Sequence, residues 1–173
     1  MTYSGSTSAT PAAPVKDPWS YWVFRVNTNG DVNGEKSSKG HSYSLSFSAN
    51  RVTARWKVNV GAYGNRRAND FAIDETTTVK SKTSSWEYNG LVVKSAGPKW
   101  SAGITAGASH SSFSNTDRQF SLAPGMEYDF FPYSESSRRS LAIRYTAGPV
   151  AYEYAELTVF DKMSETIPKH FLN

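Results

Sequence analysis

Three histidines, His41, His110 and His170, are the side chains best suited to acid–base or metal chemistry, and each stands alone. None has a ligand-like partner at i+2 or i+4, the spacings that set two donors on one face of a strand or helix. Ser, His and Asp all occur, which keeps a lipid hydrolase on a barrel wall open. With so many serines, that co-occurrence says little. The chain has no Gly-x-Ser-x-Gly elbow, no Gly-x-x-x-x-Gly-Lys phosphate loop and no dinucleotide fingerprint. Cysteine is absent, so disulfides and thiolate metal sites are excluded. The expectation is a non-enzymatic protein with no catalytic, metal-binding or cofactor-binding residue and no cofactor.

The charges read as structure. The net charge is +4, but basic residues are scattered among carboxylates, with only short pairs such as Arg66-Arg67 and Arg138-Arg139. That is a solvated or charge-paired surface, not a nucleic-acid stripe. Reflecting neighbouring strands about their connections sets Lys57 opposite Glu87 across the 66–78 loop. The same operation sets Glu127 opposite Arg144 across the 132–139 turn. Opposite charges across strands stabilise register by about 0.2–1 kcal/mol per pair. Both pairs are expected as ion pairs inside a packed polar lumen, and a register slip of two residues would dissolve either.

The elements that position these residues follow from a period of two. Tyr43, Leu45, Phe47 and Ala49 alternate with Ser42, Ser44, Ser46 and Ser48, and Phe120, Leu122, Pro124, Met126 and Tyr128 alternate with Gln119, Ser121, Ala123, Gly125 and Glu127. Such alternation makes strands with one apolar and one polar face. Seven strands are predicted, at 20–33, 41–49, 52–65, 79–94, 99–110, 118–131 and 140–154, with an eighth begun at 166–173. Asn50-Arg51 and Ser95–Pro98 read as tight turns. Gly34–Gly40, Arg66–Thr78 and Ser111–Asp117 read as longer loops. Short turns at one end and long loops at the other describe an up-and-down antiparallel meander, part of a transmembrane β-barrel.

A soluble barrel or sandwich binding an apolar or glycan ligand is the competing architecture, and three features argue against it. Most predicted strands reach the 9–11 residues a tilted membrane strand needs. The polar rows are small: all serine on the second strand, and Ser101, Gly103, Thr105, Gly107 and Ser109 on the fifth. Aromatics collect at one end, where Trp19, Tyr21, Trp22, Trp100, Phe130, Phe131 and Tyr133 would form an interfacial girdle. The third strand's expected lipid row, Val52, Ala54, Trp56, Val58, Val60 and Ala62, carries no charge. Lys80 and Lys82 share that parity near the loop end, where headgroups and water reach. Leu91 and Val93 break the parity, which would take a bulge or a local plug.

Two segments, Asp17-Pro18-Trp19-Ser20-Tyr21-Trp22-Val23-Phe24 and Phe131-Pro132-Tyr133-Ser134-Glu135-Ser136-Ser137-Arg138-Arg139, resemble uncharacterised outer-membrane β-barrel proteins of Gram-negative bacteria. The resemblance runs from about residue 15 to the end. It implies a bacterial outer-membrane location after export, with membrane lipids as partners, and implies no activity. In that family a Pro-rich linker precedes the barrel and more strands follow. Residues 1–18, rich in Ser, Thr and Pro, fit a disordered linker, and 19–173 a barrel meander truncated at its C-terminus. The chain carries no signal-peptide pattern. An incomplete barrel leaves strand edges open to edge-to-edge self-association. A passive pore for small polar solutes, or an envelope structural element, is the expected role.

Overall fold

The computed structural model describes residues 17–74, 76–131 and 141–173. Among them there are eight strands and no helix: β1 (Trp22–Gly34), β2 (Ser38–Val52), β3 (Trp56–Ala72), β4 (Thr78–Ser95), β5 (Trp100–Ser111), β6 (Thr116–Asp129), β7 (Ala142–Tyr154) and β8 (Ser164–Leu172). They form one antiparallel sheet in the order β1-β2-β3-β4-β5-β6-β7-β8. The sheet is not closed: β1 and β8 are its two edges. The linker residues 1–16, Tyr133 and the 132–139 turn lie outside the described residues.

Two connections differ from their expected places. The β2–β3 turn is at 53–55 rather than Asn50-Arg51, because the ladder runs on to Val52↔Lys57. Thr53 closes it, with its hydroxyl accepting the Trp56 amide at 3.0 Å. More consequentially, β3 continues to Ala72, through a stretch expected to be loop. Arg66, Arg67, Asn69 and Asp70 look like loop residues, yet each is paired on both sides, with β2 and with β4. A polar strand end that projects past the apolar band has no alternation to betray it. The 34–40 and 111–117 connections likewise shrink to 35–37 and 112–115. The expected contrast between short turns and long loops is therefore replaced by ladders of unequal length.

Single-layer construction sets the energetics. The buried apolar residues are Ala49, Ala68 and Val150, and no large side chain among the described residues is fully buried. A sheet with one apolar face needs a second layer to cover it. Here the cover does not come from the described residues.

Candidate functional site

Register fixes which residues share a face. Phe24, Ala49 and Val60 are cross-strand neighbours, and the row runs on through Gly90, Ala106 and Leu122. Along β2 the apolar Tyr43, Leu45 and Phe47 are exposed, while the intervening serines are half-buried. β6 repeats this, with Phe120, Leu122, Pro124 and Met126 exposed and Ser121, Ala123 and Gly125 half-buried. That inverts a water-soluble sheet, where the apolar row is hidden. Trp56, Leu122 and Ile143 are 40%, 48% and 47% exposed and share no dry centre.

The polar face is the concave one. A hollow of about 270 Å³ is lined by residues of six strands, among them Lys57, Ser101, Thr105, Glu127, Arg144 and Phe171. Six strands can border one hollow only if the sheet curls toward that face. Leu91 and Val93, which break the alternation, stand on the wall of this hollow. They are a local apolar plug on the concave side, and no bulge is needed: β3 and β4 pair continuously past them. Uncharged side chains of this face hydrogen-bond across the strands. The Asn59 amide donates to the Asn50 side-chain oxygen, Asn27 donates to Ser46 at 3.2 Å, and the Thr105 hydroxyl donates to the Ala123 carbonyl at 3.0 Å.

Of the two expected ion pairs, one meets and one does not. Glu127 and Arg144 are direct cross-strand neighbours, and the guanidinium reaches one carboxylate oxygen with Nε at 2.6 Å and a terminal nitrogen at 2.5 Å. Lys57 and Glu87 must be corrected. Lys57 lies opposite Val93, and Glu87 lies opposite Tyr63. The six-residue displacement follows from the true turn at 73–77: once β3 is extended to Ala72, the reflection centre moves toward the C-terminus. Both residues stay on the concave face, too far apart along the strands to pair.

The aromatic rim is built from local contacts. The Asp17 carboxylate accepts the Trp19 and Tyr21 amides at 2.9 and 2.6 Å, and Arg51 donates to the Ser20 carbonyl at 2.9 Å. These bonds hold a turn in which Ser20 and Tyr21 have φ of 49° and 67°. Trp19 and Trp22 both pack on Phe24. On the far side of the sheet Trp100 meets Tyr128 at 4.8 Å and Tyr128 meets Phe130 at 5.3 Å, with Phe131 just beyond. Sequence reasoning placed Trp56 in mid-strand. It opens β3 in this rim, with the Lys94 ammonium 5.5 Å from its ring centroid. A second aromatic group near the opposite ends was missed: Tyr43 beside His41, and Trp86 against both Tyr88 and His110. Its members are scattered through strand interiors in the sequence, so only register brings them together.

The histidines do different things. His41 and His170 each lie beside a tyrosine ring. His110 sits where the β5–β6 register shifts, with Nδ1 2.8 Å from the Asp117 carbonyl and Nε2 3.5 Å from the Ser84 hydroxyl. Among the described residues no group of three His, Asp or Glu could hold a metal.

The family model described as "Protein of unknown function, DUF481" matches residues 34–169, from the end of β1 into β8. No curated protein and no solved structure matches the chain.

Proposed function

The chain belongs to the DUF481 family of proteins of unknown function, and from that premise we propose that it is the strand-forming part of an outer-membrane β-barrel in a Gram-negative bacterium. The single observation that carries this reading is the convex band. Ten residues separate Trp56 from Arg66 on β3, and the convex-face positions between them, Val58, Val60, Ala62 and Gly64, hold no charge. On β4 the convex face is uncharged from Lys94 to Lys82, and on β5 it is uncharged throughout. Ten residues at about 3.3 Å each span about 33 Å, or about 25 Å along the normal of a bilayer for strands tilted by roughly 40°. That is the height of the apolar band a barrel needs.

In this reading the convex row meets membrane lipid, the aromatic rims lie at the two interfaces, and the concave polar face lines a hydrated interior. The protein is non-enzymatic and serves as a passive path for small polar solutes or as an envelope structural element. The open edges of β1 and β8 are closed by further strands or by edge-to-edge self-association, since unpaired backbone groups in lipid cost several kcal/mol each. Cell fractionation with heat-modifiable gel migration tests the location; recovery in the soluble fraction, without detergent, would sink it. Flux of sugars across liposomes holding the full-length protein tests the pore, and flux no greater than a lipid control removes that role.

One observation favours a second reading. Nδ1 of His110, donating to the Asp117 carbonyl, leaves Nε2 free to accept a proton from Ser84. That is half of a lipid hydrolase's machinery. We read it instead as a clamp on the β5–β6 bulge, because the group that holds His110 Nδ1 is a backbone carbonyl of β6 and not a carboxylate. Replacing Ser84 by Ala separates the two: loss of esterase activity in the purified protein would establish the hydrolase.

A further inference from the structure

Beyond the apolar band, the convex face of the β2–β4 end changes character within two rows. Tyr43, Arg66 and Ser84 are cross-strand neighbours, as are His41, Ala68 and Lys82, and Lys39, Asp70 and Lys80. Four cations and one carboxylate therefore crowd this patch. Lys39, Arg66, Lys80 and Lys82 are all exposed, and none forms an ion pair with Asp70 or with any other of the described residues. The opposite rim differs: its convex cations are engaged, Arg51 on the Ser20 carbonyl and Lys94 over the Trp56 ring.

Asp70 stands directly between Lys39 and Lys80, but no carboxylate stands opposite Arg66, which faces Tyr43 and Ser84, or Lys82, which faces Ala68. The patch is left with an excess of positive charge that an anion held between the side chains would neutralise. Strands about 5 Å apart, with same-face residues about 6.6 Å apart, put Lys82 one row from both Arg66 and Lys80, so that its long side chain and that of either neighbour can close on one phosphate. Tyr43 stands beside Arg66 and Trp86 one row further toward the apolar band, where an interfacial aromatic belongs. We infer that Lys39, Arg66, Lys80 and Lys82 form a binding surface for the phosphate headgroup of an anionic membrane lipid. This rests on the barrel reading, since the apolar band must carry the patch to headgroup level.

The test uses the full-length protein in vesicles of phosphatidylcholine and phosphatidylglycerol at three to one, with lipids retained on release read by native mass spectrometry. The wild-type protein should retain phosphatidylglycerol over phosphatidylcholine by about tenfold. A variant with Lys39→Gln, Arg66→Gln, Lys80→Gln and Lys82→Gln should insert normally, by protease protection, and lose the preference. A control with Lys94→Gln and Lys99→Gln should keep it. Equal retention by the inserted wild type and the fourfold variant overturns the inference and leaves the barrel reading standing. Failure of both proteins to insert overturns the barrel reading and the inference together. Displacement of the lipid by inorganic phosphate alone would make this a free-anion site and overturn the headgroup assignment.

Discussion

The two faces of the sheet are made by the same strands one residue out of phase, and they differ in both size and charge. The convex face of β2 offers Tyr43, Leu45 and Phe47; its concave face offers Ser42, Ser44, Ser46 and Ser48. Bulky residues fit the side that opens outward, and small ones the side that closes in. Charge follows the same division: within the band's span the convex face has none, whereas the concave face carries Arg25, Lys57, Glu87, Glu127 and Arg144. In the proposed membrane reading the two faces meet two different solvents, lipid on the convex side and a hydrated interior on the concave side, and the difference can be broken one face at a time.

The largest effect is expected at the band's middle. Val60→Arg should destabilise the vesicle-inserted protein by about 2–4 kcal/mol, the cost of a cation against hydrocarbon. Ser44→Lys, on the concave face, should cost within about 0.5 kcal/mol, as surface changes do. Denaturant unfolding from vesicles measures both. Equal costs would mean that the faces share one solvent, and the membrane reading would fall.

Next comes a steric contrast between adjacent residues of β7. A Cβ on Gly148 would collide with the Leu122 carbonyl oxygen on β6, and backbone cannot swing aside as a side chain can. The β6–β7 register has no pairs between Ser121↔Val150 and Gly125↔Thr146, and Pro149, which has no N–H, faces Pro168 there. Gly148→Val should therefore lower stability by about 1–3 kcal/mol. Ala147→Val, pointing to the convex side, should be tolerated. Unfolding midpoints that move equally for both would show that β6 and β7 can separate freely at this seam.

A smaller difference lies within the concave face. A double-mutant cycle on Glu127 and Arg144 should give a coupling of about 0.5–1 kcal/mol, modest because the guanidinium is half exposed. The same cycle on Lys57 and Glu87 should give none, as the two face Val93 and Tyr63. Coupling in the second pair would mean that β3 and β4 can slide into the shorter register.

How much of this was legible beforehand depended on whether alternation carried the information. Every strand interior with apolar residues at alternate positions, such as Tyr43–Ala49 or Phe120–Tyr128, was found within a few residues of its true limits. The all-β meander followed from them. The outer third of β3 was not legible, because Arg66, Arg67, Asn69 and Asp70 put polar residues on both faces, with Ala68 the one apolar residue among them, and their partners Lys39–Tyr43 and Lys80–Ser84 keep them in the sheet. Losing those residues moved the turn and with it the Lys57–Glu87 pairing, while Glu127–Arg144 survived because β6 and β7 are alternating up to their shared turn. The basic patch was visible only as Lys80 and Lys82 on the convex parity. Arg66 and Lys39 join it through register, which no single strand contains.

The smallest expected effect sits where β3 and β4 turn, and it tests whether that long hairpin is held at its tip. One Asp74 carboxylate oxygen accepts the Thr76 amide at 2.9 Å, the Thr76 hydroxyl at 2.9 Å and the Thr77 amide at 2.7 Å. These donors favour the ionised form and hold its pKa below the ordinary 3.8. A depressed folded value means the stabilisation is complete above 3.8 and is lost as pH falls through the lower, folded value. The side chain is fully solvated, so the change should be local. Hydrogen exchange at the Thr76 and Thr77 amides should show protection above that window, relative to Asp74→Ala at the same pH, and none below it. The ladder from Trp56 to Arg66 should not respond, because it is fixed by its own cross-strand bonds. Protection that persists in Asp74→Ala would mean that the tip is held by the Ile73 amide's bond to the Thr77 carbonyl, at 2.9 Å, rather than by the carboxylate.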